Sequence, residues 1–200
     1  MKGAFITIYG VNNIGKSTQA RLLMKKLLEE GYDAHYLKYP IYELEPTGEK
    51  INSILRSGGA QKVSEEELQT LFMQNRRDYE STLRKLLEEG RIVIAEDYTG
   101  TGIAWGHAKG LSLEFMEELN GGLLQEDFAI LLTGKRDTRA RESKHIHESN
   151  DLLMEKVNSI LHLLAHKYSW HTVELQPAIP DTSAAIWQEV QNFLKNRPKT

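Results

Sequence analysis

Short runs of β-branched and aromatic residues alternate along the chain with longer segments in which apolar side chains recur every three or four positions. The pattern predicts four strands and a brief fifth one, over Ala4–Tyr9, Ala34–Tyr39, Arg91–Glu96, Phe128–Thr133 and His171–Leu175. Strands separated by helical segments of this length are typical of βαβ units. The sequence therefore predicts an α/β fold with a five-stranded parallel sheet and helices on both faces.

Several helix boundaries follow directly from the residue types. Ser64, with Glu three positions later, forms a capping box that predicts the start of a long helix, and Asp181 is expected to cap the last helix. The segments 27–31 and 86–90 both read Leu-Leu-Glu-Glu-Gly before a predicted strand, which predicts a shared helix stop at the glycine. Because no linker or low-complexity stretch divides the chain, we expect a single domain over residues 1–200.

Composition excludes several classes of protein. The chain has 200 residues, with 25 Lys and Arg against 28 Asp and Glu and a formal net charge of −3, so no global positive field attracts nucleic acid or anionic lipid. It has no Cys, which excludes disulfides, thiolate nucleophiles and Cys-ligated zinc. Its apolar runs are far shorter than the ~20 residues of a membrane span, and residues 1–3 lead straight into the first strand. We expect a soluble cytoplasmic protein without nucleic-acid or membrane partners.

Residues 10–17 follow the first predicted strand and precede a helical segment. They have the pattern G-x4-G-K-S of a phosphate-binding loop, in which backbone N–H groups and the helix N-terminus surround the β-phosphate of a nucleotide. Lys16 should reach the β- and γ-phosphates and take part in catalysis, and the Ser17 hydroxyl should bind Mg²⁺. The predicted nucleotide contacts are Gly10, Val11, Asn12, Asn13, Ile14, Gly15, Lys16, Ser17 and Thr18.

Three further segments resemble motifs of one enzyme family. They are Lys38-Tyr39-Pro40 after the second strand, 71–76 within the long helix, and 93–98 at the third strand. On these motifs the chain, from about Ala4 to Leu194, resembles thymidylate kinases and their nucleoside monophosphate kinase relatives. The resemblance implies a P-loop NTPase fold, ATP as the donor with Mg²⁺, and conversion of a nucleoside monophosphate, in the first place dTMP to dTDP. It also implies a homodimer.

The long helix carries the predicted acceptor site. In the family that the chain resembles, an aromatic residue at the position of Phe72 stacks on the base, and an Arg at the position of Arg76 binds the monophosphate. These two residues are four positions apart and share one helix face, so both could contact one nucleotide. Each also has a plainer interpretation, Phe72 as core and Arg76 as a solvated charge. The other acceptor-side residues that the resemblance implies are Tyr39, Pro40, Asp97, Tyr98, Gly102 and Trp105.

Further candidates for catalysis are one acid and one basic segment. Glu96 ends a predicted parallel strand near the phosphate loop, where an acid can hold Mg²⁺ or receive the proton of the acceptor. The basic segment around residues 135–150 resembles the mobile lid that closes over ATP in the family. Because residues 11–14 contain no Arg, the resemblance leaves the lid to supply the catalytic arginine; the candidates are Arg136, Arg139 and Arg141. A solvated charged helix is the alternative for this segment.

Three positions depart from the family pattern. Asn12 stands where a carboxylate usually contacts the acceptor sugar, Tyr42 lies near the position of an acceptor-phosphate Arg, and Asp97 replaces the Arg of the third-strand motif. An anion at this place would repel a dianionic phosphate. The acceptor therefore stays open between a nucleoside monophosphate, dTMP first, and another nucleotide, a nucleoside or a small molecule. A non-catalytic nucleotide-binding relative is the third hypothesis.

Overall fold

A computed structural model describes residues 3–56, 63–134 and 151–197. The strands in these ranges are β1 (Ala4–Tyr9), β2 (Ala34–Lys38), β3 (Ile92–Glu96), β4 (Phe128–Thr133) and β5 (His171–Glu174). The helices are α1 (Lys16–Glu29), α2 (Thr47–Arg56), α3 (Glu65–Glu88), α4 (Thr99–Ala108), α5 (Leu113–Asn120), α6 (Asp151–Lys167) and α7 (Ile179–Asn196). No helix within these ranges has the length and apolarity needed to cross a bilayer.

The five strands form one sheet in the order β2-β3-β1-β4-β5, and every neighbouring pair is parallel. This confirms the predicted sheet. All six residues of β1 are buried, as expected for a central parallel strand with helices over both faces. The register pairs Ile8 of β1 with Glu96 of β3, so the segments that follow these two strands meet at one edge of the sheet.

The helices form two layers. α1 packs against β1, β2 and β3, with α7 beside it over β4 and β5. In the other layer α3 contacts β3, α6 contacts β4, and α4 lies between α3 and α6. α2 packs on α3, where Ile51, Leu55 and Leu68 form a small buried cluster apart from the main core. Residues of α2 and α3 thus line the space at the carboxyl edge of the sheet.

The repeated Leu-Leu-Glu-Glu-Gly segments end α1 and α3 in the same way. Gly31 and Gly90 have φ of 84° and 88°, a left-handed conformation that favours glycine. In each segment the residue after the glycine donates its backbone N–H to the carbonyl oxygen five residues earlier, at 3.0 and 3.1 Å. This is a Schellman motif, and it confirms the predicted helix stop. The capping box at Ser64 is also confirmed, with both of its hydrogen bonds present.

The prediction that Asp181 caps the last helix is wrong. α7 begins at Ile179 with Ala178 as its N-cap, and Asp181 lies in the first turn. The cause is Pro180, which occupies the first turn of the helix, where its fixed φ and missing N–H are favourable. Asp181 still complements the helix dipole from this position.

The helix α4 has no counterpart among the predicted elements. Its glycines at positions 100, 102 and 106 weaken any helical pattern in the sequence. Their reason is close packing: a Cβ on Gly100 would lie 2.4 Å from Trp170, and one on Gly106 would lie 2.5 Å from Met116. The glycines let α4 approach its neighbours, a tertiary requirement that local propensity does not reveal.

Candidate active site

The loop over residues 10–15 joins β1 to α1, as the motif predicts. Gly10, Asn13 and Gly15 have φ of 150°, 64° and 97°, and these left-handed residues wind the backbone into the start of α1. A side chain at position 10 would force its neighbours to move, since a Cβ there would lie 2.9 Å from Ile14 Cγ2 and 3.1 Å from the Leu132 carbonyl oxygen. A loop of this kind before a helix N-terminus directs backbone N–H groups at a bound phosphate.

The Lys16 side chain folds back over this loop and is 5% exposed. Its Nζ donates hydrogen bonds to the carbonyl oxygens of Gly10 at 2.8 Å and Val11 at 3.1 Å. The same Nζ lies 3.6 Å from Asp97 Oδ1. The loop therefore holds the ammonium group beside the place where nucleotide phosphates bind in such loops.

Glu96 is the hub of the polar contacts at the end of β3. Its Oε1 accepts a hydrogen bond from Ser17 Oγ at 2.8 Å and lies 3.0 Å from Lys38 Nζ, and its Oε2 accepts one from the Tyr36 hydroxyl at 2.6 Å. Burial alone would raise the pKa of Glu96, but the Lys38 ammonium and the hydroxyl donors hold it below the ordinary glutamate value. The two predicted Mg²⁺ ligands are thus in direct contact, and the carboxylate is ionised.

Asp97 takes an unusual backbone conformation for a non-glycine residue, with φ of 63°. Its carboxylate accepts a hydrogen bond from Thr101 Oγ1 at 2.7 Å and pairs with Lys16. Burial raises the pKa of Asp97 above the ordinary aspartate value, although Lys16 opposes this shift. The structure thus places this carboxylate beside the phosphate-loop lysine.

One cavity of about 850 Å³ opens at this edge of the sheet. Of the predicted site residues in the described ranges, only Gly10 and Val11 do not line it. The predicted donor and acceptor residues therefore share a single space, with the phosphate loop on one wall and α3 and α4 on another. The candidate lid residues Arg136, Arg139 and Arg141 lie outside the described residues.

Arg76 and Phe72 both contribute to this cavity from α3. Arg76 is 5% exposed, so its interpretation as a solvated charge is wrong. Its Nη1 donates a hydrogen bond to Asn120 Oδ1 at 2.9 Å, and burial lowers its pKa. Phe72 is half-buried against the cluster under α2. Trp105 belongs to the main core and also lines the cavity, so packing in the core is compatible with the predicted site role, which stays a prediction for both aromatic residues.

Four polar residues of the site escaped the sequence analysis as functional candidates. Tyr36 contacts Glu96, Thr101 holds Asp97, and Asn120 contacts Arg76. Asn75 fixes the loop after Pro40, since its side chain bonds both the N–H and the carbonyl of Ile41, at 2.8 and 2.9 Å. Only Asn75 has a sequence signal, because it is a polar residue at helical spacing among apolar residues of α3 such as Leu71, Phe72 and Tyr79. The others depend on which elements meet in the fold.

Comparison with known proteins agrees with this geometry. The sequence model for the thymidylate kinase family matches residues 8–186. A protein whose name assigns it to the thymidylate kinases, 251L of Invertebrate iridescent virus 6, is 32% identical over 195 residues, covering 96% of this chain and 90% of that relative. The thymidylate kinase of African swine fever virus, strain Badajoz 1971, is 31% identical over 136 residues, covering 68% of this chain and 53% of that relative.

Among solved structures, the thymidylate kinase of Candida albicans superposes with a TM-score of 0.83 over 98% of this chain and 94% of that chain. Its sequence is 22% identical, so this match shows the shared fold. The fold predicted from the βαβ pattern and the phosphate loop is thereby confirmed. Together with the match of the family model over most of the chain, these findings show that the chain belongs to the thymidylate kinase family of nucleoside monophosphate kinases.

Proposed function

We propose that the chain transfers the γ-phosphoryl group of ATP to dTMP with the help of Mg²⁺. The observation that carries this proposal is the single cavity that joins the phosphate loop to Phe72 and Arg76. Phosphoryl transfer needs donor and acceptor phosphates in line and in contact, with water kept away. A shared cavity between a phosphate loop and a base-stacking aromatic meets this need.

The donor end offers ligands of the right kind for Mg²⁺. Ser17 Oγ and Glu96 Oε1 lie 2.8 Å apart, and hydroxyl and carboxylate oxygens are the ligands that this ion prefers. Mg²⁺, when bound, neutralises charge on the phosphates of the nucleotide. Lys16 would exchange its present contacts with carbonyl oxygens and Asp97 for phosphate oxygens, and would stabilise the charge of the transferring group.

The acceptor end offers two cations. Four cationic side chains of the described residues line the cavity, and the ammonium groups of Lys16 and Lys38 each lie within 4.0 Å of a carboxylate. Within the described residues, Arg56 and Arg76 make no such ion pair. The Arg56 guanidinium lies 6.0 Å from the centre of the Tyr42 ring, so it brings a cation to the position where the family arginine is missing. We assign both arginines to the acceptor side, and the phosphate contact of Arg76 stays a prediction.

The reaction can be tested by ADP release from ATP and Mg²⁺ with the purified protein. The acceptor panel contains nucleoside monophosphates, nucleosides and no acceptor. The proposal expects the highest kcat/KM with dTMP and little ADP release without acceptor. A higher kcat/KM with another nucleotide or a nucleoside would show that dTMP is not the preferred acceptor, while the protein would still be a kinase. Release that no acceptor increases would contradict phosphoryl transfer to a nucleotide.

Three predictions from the sequence remain proposals: the single domain over 1–200 with its lid at 135–150, the homodimer, and the cytoplasmic location. Sedimentation of the purified protein tests the homodimer. Limited proteolysis with and without ATP and dTMP tests the lid, because a segment that closes over nucleotide becomes protected when the nucleotide binds.

A further inference from the structure

Arg76 is a buried cation without a carboxylate partner in the part of the chain that the structure describes. Its Nη1 bonds to a neutral amide, that of Asn120, and its Nε has no hydrogen-bond partner among the described residues. A guanidinium group that is buried in this state is costly to the folded protein. Because Arg76 also lines the large cavity, a bound group with oxygen atoms could supply the missing interactions.

The partner of Arg76 is held in one orientation. Asn120, the last residue of α5, is 4% exposed, and its Nδ2 donates to the Met116 carbonyl oxygen at 2.8 Å. Its Oδ1 must therefore point to Arg76, which donates to it at 2.9 Å. An aspartate here would pair directly with the guanidinium, whereas the amide oxygen fixes the group in place without adding a negative charge.

The backbone of α4 holds the other side of the guanidinium. A Cβ on Gly102 would lie 2.6 Å from Arg76 Nη2, so the group rests directly against this glycine. Two contacts from different elements, an amide on α5 and a glycine on α4, thus define where the guanidinium lies. Gly102, one of the predicted acceptor-side residues, thus leaves the room that the Arg76 guanidinium occupies.

We propose that Asn120 is a positioning residue for the acceptor. It holds Arg76 toward the cavity and, because it is neutral, keeps the positive charge of Arg76 available to an oxygen of the acceptor nucleotide. This oxygen belongs either to the phosphate or to a carbonyl group of the base. The inference rests on the proposed function, since it assumes that a nucleotide monophosphate occupies this end of the cavity.

The test compares Asn120→Asp and Asn120→Ser with the wild type by calorimetric titration of dTMP and of thymidine, and by steady-state kinetics. Asn120→Asp pairs with Arg76, and we expect dTMP to bind at least about tenfold more weakly, the effect of one hydrogen bond to a charged group. Asn120→Ser loses the contact without adding charge, so a smaller loss is expected. The KM for ATP should stay unchanged in both variants. Asn192→Asp, on the exposed side of α7, is the control for an added negative charge.

A double-mutant cycle separates positioning from a general effect on the fold. In an Arg76→Met background, Asn120→Ser should have almost no further effect on dTMP binding, because the group that it positions is gone. The thymidine arm locates the oxygen: weaker binding of dTMP alone places Arg76 at the phosphate, and weaker binding of both ligands places it at the base. Either result supports the role of Asn120.

Normal dTMP binding in Asn120→Ser would overturn the inference, as would an undiminished effect of this change in the Arg76→Met background. If Asn120→Asp does not fold, the serine variant and the cycle still decide. A wild-type protein that binds neither dTMP nor thymidine would contradict the proposed function instead, so the two failures are distinguishable.

Discussion

Replacing Asp97 by Asn tests the most unusual charge in the site. The Asp97 carboxylate lies 3.6 Å from Lys16 Nζ, and opposite charges at this distance attract by about 1 kcal/mol at the dielectric constant of water and about 5 kcal/mol at an effective value of 20. Both side chains are largely buried, at 5% and 13% exposure, but the burial of Asp97 itself opposes much of this attraction. We take about 1–2 kcal/mol as the net competition with ATP phosphates for Lys16, which corresponds to about a 5–30-fold change in affinity.

Asp97→Asn should therefore bind ATP about 5–30-fold more tightly than the wild type. The amide oxygen can still accept the hydrogen bond from Thr101 that holds the side chain in place, so the change removes charge and keeps shape. The measurement is calorimetric titration with a non-hydrolysable ATP analogue and Mg²⁺ at fixed ionic strength, because salt screens such effects. Asp33→Asn removes the same charge at the opposite end of the sheet, where Asp33 is 64% exposed, and serves as the control.

The acceptor side and pH provide two further readouts for this position. From the sequence we expect Asp97→Arg to lower the dTMP KM at least several-fold, since a cation replaces an anion near the acceptor phosphate. Because burial raises the pKa of Asp97, protonation as the pH falls through that value should strengthen ATP binding in the wild type and not in Asp97→Asn. If Asp97→Asn binds the ATP analogue no better than the wild type, Asp97 does not compete for Lys16. A wild type that binds dTMP tightly, with no gain from Asp97→Arg, would show that Asp97 does not face the acceptor phosphate.

Three other predictions address the phosphate loop, the proposed lid and the partly buried carboxyl group of Glu126. Lys16→Ala should keep the fold and lower kcat at least about tenfold, since it removes the ammonium group that the phosphate loop holds beside the phosphates. Lys25→Ala, on the exposed side of the same helix, is the control, and near-normal turnover would place ATP elsewhere. Removing the basic residues of the proposed lid should depress kcat far more than it raises the dTMP KM, and an unchanged kcat would make them a solvated surface; the combined variant changes Arg136, Arg139 and Arg141 to Ala. Burial raises the pKa of Glu126, so the folded state holds more protons than the unfolded state between the two pKa values, and stability is lost as the pH rises through this window. Glu126→Gln should therefore increase the free energy of unfolding over that of the wild type, and by more at about pH 8 than at about pH 5. Urea denaturation measures both proteins at both pH values, and the same difference between variant and wild type at the two pH values would contradict this.

The parts of the fold that the sequence predicted are those that local chemistry determines. β1 and the phosphate loop combine an apolar run with a motif that works only between a strand and a helix, and both are where the sequence placed them. The helix stops at Gly31 and Gly90 depend on one left-handed residue each. The start of α7 also has a local signal, since Pro180 favours the first turn of a helix, whereas Asp181 taken alone suggests a later start.

The parts of the site that the sequence did not predict depend on meetings between distant elements. Asn120 contacts Arg76 across 44 positions of the chain, and Tyr36 contacts Glu96 across 60. α4 is helical although its three glycines disfavour a helix. Glycine is needed at these positions because Trp170, Arg76 and Met116 occupy the space that a side chain would fill. Asp97 lies beside Lys16 with its backbone in the left-handed region, which is uncommon for a non-glycine residue. None of these features has a local pattern that would reveal it.

The two carboxylates at the end of β3 change how the site must handle phosphate charge. Lys16 pairs with Asp97 and Lys38 pairs with Glu96, so these four groups are together close to neutral and offer little net positive charge to ATP. We expect the charge of the phosphates to be met instead by Mg²⁺, by the N-terminus of α1 and by the lid proposed at 135–150. On this proposal Asp97 and the lid both change the net positive charge that is available to the phosphates of ATP. Removing the lid arginines should therefore reduce kcat more in the wild type than in Asp97→Asn, where Lys16 is free to compensate, and equal losses in both backgrounds would show that the two regions are energetically independent.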